Sequence, residues 1–326
     1  AEKQDLVLEE ILIIGSKADA SLIAGAADFV GEVDLERFDY IDLRKLLGQV
    51  PGVYVREEDG FGLRPNIGIR GAAAERSQKV TILRDKVLIT PAPYSAPAAY
   101  YVPNVSRISN LEVMKGPAAV MYGPHTVGGA INMASSAMPI DPTGRVDVSG
   151  GSDGYYKGQI SYGATSKNVG YLVDLLTYGA DGFKSIDGSE EPTGFERNDF
   201  GFKFLYRVPE SRRQHTLTLL IEGGNENADE TYLGLSDSDF EEDPYRRYAA
   251  SQMAKFKSEH YNLLMNYSAL IAETTSSNLQ IYWNQFDRSW NKLDGFLSGP
   301  TLQKILGAPD QYQNQYYVLT GQKNSS

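Results

Sequence analysis

Lys115-Gly116-Pro117-Ala118-Ala119-Val120-Met121-Tyr122-Gly123-Pro124-His125-Thr126-Val127-Gly128-Gly129-Ala130-Ile131-Asn132 reads as a strand end, a tight turn, one short helix and a second strand. Pro117 fits a first helical position, where the N–H it lacks would be unpaired anyway, and Gly123 supplies the backbone freedom that ends such a helix. Upstream, Leu111-Glu112-Val113-Met114 is a strand, and residues 80–83 and 87–89 form a hairpin around Arg84-Asp85-Lys86. Pro65-Asn66-Ile67-Gly68-Ile69-Arg70-Gly71 opens the region. Ile67 and Ile69 share a strand face there, and Arg70 points to the other. Residues 64–133 therefore read as an α+β unit of short strands, with a Pro- and Tyr-rich loop at residues 91–101.

Toward the N-terminus, Leu43, Leu46, Leu47 and Val50 recur at i, i+3, i+4, i+7 and give one helix an apolar stripe. Asp39 is the expected N-cap, Pro51 ends the helix, and Val53 and Val55 begin a strand. Residues 29–34 are expected to be another strand. Glu9-Glu10-Ile11-Leu12-Ile13-Ile14-Gly15 is a short β-branched run flanked by polar residues. It reads either as a first strand of the unit or as an extended peptide that adds to a partner's sheet edge. Gly60-Phe61-Gly62 is no dinucleotide loop, because Pro65 stands where a third glycine is needed.

Beyond residue 144 the texture changes to long alternating strands. Phe200, Phe202, Phe204 and Tyr206 share one face, with Asp199, Gly201 and Lys203 on the other. Leu217, Leu219 and Ile221 oppose Thr216, Thr218 and Glu222; Tyr261, Leu263, Met265 and Tyr267 oppose Asn262 and Asn266; Leu279, Ile281 and Trp283 oppose Asn278, Gln280 and Asn284. A soluble sandwich also alternates. These strands are longer than the usual ~5–6 residues of soluble sheets. Connections 166–169, 209–213 and 273–276 are short, whereas 185–194, 229–257 and 291–311 are long. Long strands with short turns at one end and long loops at the other mark a transmembrane β-barrel. The 326 residues carry a net charge of −11, which disfavours a nucleic-acid partner, and no cysteine, which excludes disulfides and thiolate metal sites.

Three sets of residues together resemble the plug signature of the TonB-dependent outer-membrane receptors. They are residues 65–71, Lys115-Gly116-Pro117 and residues 122–132. Residues 60–65, Ala92-Pro93-Tyr94 and Thr231-Tyr232-Leu233-Gly234-Leu235 are most similar to the ferric dicitrate receptor branch. The resemblance implies an α+β plug domain followed by antiparallel transmembrane β-barrel strands. Residues 1–20 would be an N-terminal segment with the TonB box, 21–140 the plug, and 141–326 the first seven or eight strands. The family's plugged barrel has about 22 strands, so the chain is expected to be its N-terminal part. It also implies a receptor rather than an enzyme, in the outer membrane of a Gram-negative bacterium with the N-terminal segment in the periplasm. The expected partners are TonB of the inner-membrane TonB-ExbB-ExbD complex, a ferric chelate and outer-membrane lipid, with iron only as part of the cargo and no resident cofactor. Where family plugs often carry Asp-Gly, this chain has Asp85-Lys86, which argues against a tight two-residue turn.

On the same resemblance, Glu10, Ile11, Leu12, Ile13, Ile14 and Gly15 look like the TonB box. Arg70 and Lys115 invite a ligand reading, but in this family such plug cations pair with carboxylates on the barrel wall. Tyr94, Tyr100 and Tyr101 offer flat phenol surfaces on a proline-stiffened loop, to a ligand or to the barrel wall. A carboxylate-bearing chelate calls for Arg forks. Arg76 and Lys79, with Arg246, Arg247 and Tyr248 on the long loop, are the candidates. His125, His215 and His260 lack metal-binding spacing.

Overall fold

The computed structural model describes residues 12–23, 25–38, 41–89, 101–123, 125–209, 214–272 and 274–322. The chain divides into two compact units, Ala1–Pro139 and Ile140–Ser326. The first contains β1 (Ala26–Val30), α1 (Glu32–Phe38), α2 (Leu43–Leu47), β2 (Val53–Arg56), β3 (Asn66–Ile69), β4 (Val80–Arg84), β5 (Val87–Leu88), β6 (Ile108–Lys115) and β7 (Gly129–Ser135). A five-stranded sheet runs in the order β1-β6-β7-β4-β5, parallel only between β4 and β7, and β2 pairs with β3 beside it. Leu111 and Val113 of β6, Ile131 and Met133 of β7 and Ile82 of β4 bury one face against the Leu43, Leu46, Leu47, Val50 stripe. The helix forms as the periodicity requires, but Asp42 caps it, accepting from Arg44 N at 2.7 Å. Asp39, the expected cap, lies outside the described residues. The strand expected at 29–34 stops at Val30, and α1 starts at Glu32, with Glu32 and Asp34 at its positive end.

The hairpin turn corrects a second expectation. Arg84 pairs with Val87, so Asp85 and Lys86 do form a tight two-residue turn, at φ 49° and 69°. The neighbouring β7 supports what glycine would otherwise supply. The Asp85 carboxylate accepts from Ser135 N (2.7 Å), and Lys86 N donates to Asn132 Oδ1 (2.9 Å).

The second unit contains β8 (Thr143–Gly150), β9 (Tyr156–Thr165), β10 (Val169–Ala180), β11 (Ser185–Ile186), β12 (Phe195–Arg207), β13 (His215–Ala228), α3 (Asp237–Glu242), β14 (Arg246–Arg247), β15 (Lys255–Ala272), β16 (Thr275–Asn291), α4 (Leu302–Gly307) and α5 (Gln313–Leu319). Seven of these strands make one antiparallel sheet in the order β16-β15-β13-β12-β10-β9-β8. Its longest members run 18 and 17 residues. The register aligns the apolar side chains into rows. Val173, Phe202, Ile221, Leu263 and Trp283 form one row, and Tyr171, Phe204, Leu219, Met265 and Ile281 form the next. Phe200, Phe202, Leu263, Ile281 and Trp283 are exposed, whereas Asp199, Lys203, Glu222, Asn262 and Asn266 are buried. Polar side chains thus occupy the sheltered face and apolar ones the open face, the arrangement of a strand that meets lipid. The rows at Phe200 to Tyr206 span about 20 Å along the strand. They end at a polar row of Thr177, Asn198, Asn225, Glu259 and Asp287.

The turn at 166–168 is short, while 181–194 and 229–254 are long. The link between β8 and β9, on the long-loop side, is itself short. Where an eighth strand was allowed, the chain forms α4 and α5. They return to pack Ile305 and Leu319 on Leu233 and Tyr248 of the 229–254 loop. No helix among the described residues is long and apolar enough to cross a membrane.

Candidate functional site

The sheet of the first unit has a second face. Strand alternation puts Glu112 and Met114 of β6 there, beside Ala130 and Asn132 of β7. Residues 13–23 cover it, with Ile14 packed on Met114, Ala119 and Ala130, and Ile13, Ala20 and Ile23 around them. Glu112 is fully buried, and such a charge needs donors. Asn132 Nδ2, from the residue directly opposite, supplies one at 2.7 Å. The N-terminal segment supplies three more: Ile13 N at 2.8–2.9 Å, Ile14 N at 2.6 Å and Gly15 N at 3.2 Å. Gly15 sits at φ 85°. Ser16 Oγ then accepts from Asp19 N and starts the single turn Asp19–Leu22. Nearby, burial and then the Glu112 charge raise the Tyr122 phenol above its ordinary pKa.

A second constellation lies in the long loops of the second unit. Asp239 accepts from Tyr248 Oη (2.6 Å), Ser236 Oγ (2.7 Å) and the Tyr316 hydroxyl. Arg246 donates to both Asp187 oxygens (3.0 and 3.1 Å) and to Asp239 (3.0 Å). The bond to Asp187 is the main reason its pKa rises further. Burial alone would raise the Asp239 carboxyl, but the three hydroxyls and Arg246 outweigh it and hold the group below the usual value. A cavity of about 440 Å³ opens next to this cluster, floored by Leu233, Leu235, Leu293, Leu302 and Leu306. At its rim the Lys292 ammonium lies 4.0 Å from the Tyr232 ring centre and 4.5 Å from that of Trp290.

With this geometry in hand, the comparisons with known proteins are specific. Residues 19–130 match the TonB-dependent Receptor Plug Domain family. Residues 19–130 belong to the plug-domain family of the TonB-dependent receptors. The vitamin B12 transporter BtuB of Photobacterium profundum is 30% identical over 179 residues, which cover 53% of this chain and 28% of that protein. BtuB of Vibrio vulnificus is 23% identical over 302 residues, 92% of this chain and 45% of that protein. Among solved structures, the ferric citrate transporter FecA in its unliganded form superposes with a TM-score of 0.72 at 25% identity, over 86% of this chain and 42% of that one. The ferric yersiniabactin receptor FyuA of Yersinia pestis shares the fold, with a TM-score of 0.67 at 17% identity over 83% of this chain and 42% of that one. The chain spans less than half the length of each of these proteins.

Against this receptor frame the expected site residues sort unevenly. Glu10, Ile11, Tyr94 and Tyr100 lie outside the described residues. Leu12, Ile13, Ile14 and Gly15 are docked on the plug in a bent segment that forms no strand. Lys115 was expected to need a carboxylate of the barrel wall. Its ammonium instead pairs with Asp28 of the adjacent β1 and donates to Pro51 O at 2.7 Å, so its charge is compensated inside the plug. Arg70 is exposed, at φ 53°, and has no ion pair among the described residues. Arg76 and Lys79 are exposed on one turn, and Arg76 is held at φ 51° with its N–H on Asn66 Oδ1 (2.6 Å). Tyr101 packs on the plug core.

The loop residues correct the ligand expectation. Arg246 already spends its fork on Asp187 and Asp239, and Tyr248 is fully buried with its hydroxyl on Asp239. Arg247 turns a guanidinium nitrogen to Pro244 O (2.9 Å), and burial lowers its pKa. None of the three is offered to a chelate here. The sequence reading missed Glu112, Asn132, Asp239 and Tyr316. A lone carboxylate within Leu111-Glu112-Val113-Met114 was the available signal for Glu112. Among the described residues no cluster of His, Asp or Glu could hold a metal ion.

Proposed function

We propose that the chain forms the plug and first barrel strands of an outer-membrane receptor that imports a ferric chelate, ferric citrate first among them. Energy would arrive through TonB, of the TonB-ExbB-ExbD complex, at residues 10–15 on the periplasmic side. The observation that carries the reading is the likeness to the ferric citrate transporter, which extends over most of the chain. Of the cations expected at the ligand, Arg76 and Lys79 are exposed and without an ion pair among the described residues. A test is calorimetric titration of the receptor, purified from outer membranes, with ferric citrate. Replacing Arg76 and Lys79 together by Ala should weaken binding by about 1.5 kcal/mol or more, the low end for charge-assisted hydrogen bonds. Absence of ferric citrate binding to the parent overturns the ligand assignment.

A second reading has its own observation. The cavity is lined by Tyr232 and five leucines, with Asp237 and Asp294 also on its wall, which suits a ligand with a broad apolar surface better than a small carboxylate chelate. The relatives named as vitamin B12 transporters make a corrinoid the alternative cargo. Titration with cyanocobalamin in parallel separates the two.

A further inference from the structure

The long loops of the second unit gather negative charge. Residues 229–254 hold seven carboxylates against two arginines, Arg246 and Arg247. Both arginines are engaged, Arg246 on Asp187 and Asp239 and Arg247 on Pro244 O. An anion approaching these loops is repelled, and a cation is drawn in. The 440 Å³ cavity opens here. Leu233 and Leu235 line it from the 229–254 loop, and Leu293, Leu302 and Leu306 from the segment after β16. Among the described residues that line it, the charged ones are Asp237 and Asp294, with no lysine, arginine or histidine. The neighbouring Lys292 does not neutralise them. Its ammonium lies over the Tyr232 and Trp290 rings, and its side chain is mostly buried. Asp294 is 3.6 Å from that ammonium yet 85% exposed, so most of its carboxylate faces water. A leucine-lined hollow with two carboxylates on its wall calls for a ligand that is apolar along its body and cationic at one end. Burial of the body drives binding, and the carboxylates decide which end goes where.

We propose that this cavity binds a cationic amphiphile, an alkyl- or arylammonium ion whose apolar body lies on the leucines and whose ammonium meets Asp237 and Asp294. The site uses none of the cations named above for a ferric chelate. It stands whether or not ferric citrate is the cargo. A corrinoid would fill the same hollow by its breadth, so the charge of the ligand is what separates the two occupants.

The test is equilibrium dialysis of octylammonium, octanol and octanoate against the full-length protein in lipid nanodiscs, with empty nanodiscs as the blank. Octylammonium should bind saturably, and should bind about 4-fold more tightly for each methylene added from hexylammonium upward. Octanoate, with the same chain and the opposite charge, should bind at least about 10-fold more weakly. Asp237 and Asp294 are both exposed, so changing both to Asn leaves the packing intact. That pair of changes should weaken octylammonium about 10-fold or more and leave octanol unchanged. Gly234→Leu blocks the hollow without a clash. A Cβ at Gly234 meets only Leu306 Cδ1, at 3.9 Å, and its φ is not positive. This variant should weaken octylammonium and octanol alike, by about 10-fold or more. Octanoate binding as tightly as octylammonium overturns the proposal, and so does an unchanged octylammonium affinity in the double Asn variant. If that variant also loses octanol, the hollow has closed, and the comparison of octylammonium with octanoate in the parent decides. Binding that survives Gly234→Leu unaltered overturns the cavity as the site.

Discussion

The two units solve opposite problems with the same strand geometry. In the plug, Leu111, Val113, Ile131 and Met133 point into a core from which water is excluded. In the second unit, Phe202, Leu263, Ile281 and Trp283 point outward, while Asp199, Lys203, Glu222 and Asn266 are sheltered. Strands alternate in both, so alternation alone does not say which face is the inside. What distinguishes them is length, the row-by-row alignment of apolar side chains across five strands, and the presence of charged groups on the hidden side. The inversion in the second unit is what strands need when their apolar rows face hydrocarbon.

The sharpest break of the comparison is a charge in the plug core. Met133→Asp should abolish the folded plug, costing about 4 kcal/mol or more, as an unpaired buried charge does. Limited proteolysis of outer-membrane preparations would show it, and a protected plug in that variant contradicts the core assignment. On the barrel, Leu219→Arg places a charge in the middle of the aligned rows. Refolding into liposomes should lose about 2–4 kcal/mol, the range for Arg at mid-bilayer, and little in detergent. An equal loss in both media would mean that the row does not face lipid. Smaller still is the loop cluster. Tyr316→Phe removes one donor to Asp239 and should cost about 1 kcal/mol of loop stability.

The pH dependence of that cluster sharpens the same point. Asp239 titrates below its ordinary value of 3.8 in the folded protein. A depressed carboxylate adds stability above its unfolded pKa and loses it as pH falls through the folded one. The loops should therefore stay closed at neutral pH and loosen only below about pH 4. Hydrogen exchange at residues 236–248 across that range is the measurement.

Much of this was legible in the residues. The Leu43 to Val50 stripe, the Pro117 turn and the inverted faces of β12 and β15 follow from periodicity and turn chemistry. Three features were not, and each depends on something distant. The Asp85-Lys86 turn looked wrong without glycine because its support comes from Asn132 and Ser135, about fifty residues on. Residues 12–15 carry a β-branched signature, yet Glu112, nearly a hundred residues away, bends them. Arg246, Arg247 and Tyr248 look like a binding triad in sequence, but Asp187 and Tyr316 decide where two of them go. Local preference is overridden where a buried charge requires donors.

The chain has only two tryptophans, and both lie on β16. Trp283 sits in the apolar rows and is exposed. Trp290 lies at the loop end, edge-on to Tyr232 and Phe256 with the Lys292 ammonium over its ring. The seven residue steps from one to the other lead from the lipid band to the loop end, about 23 Å along a strand. The chain therefore has a native optical depth gauge: bromine on mid-chain lipid carbons should quench Trp283 and spare Trp290.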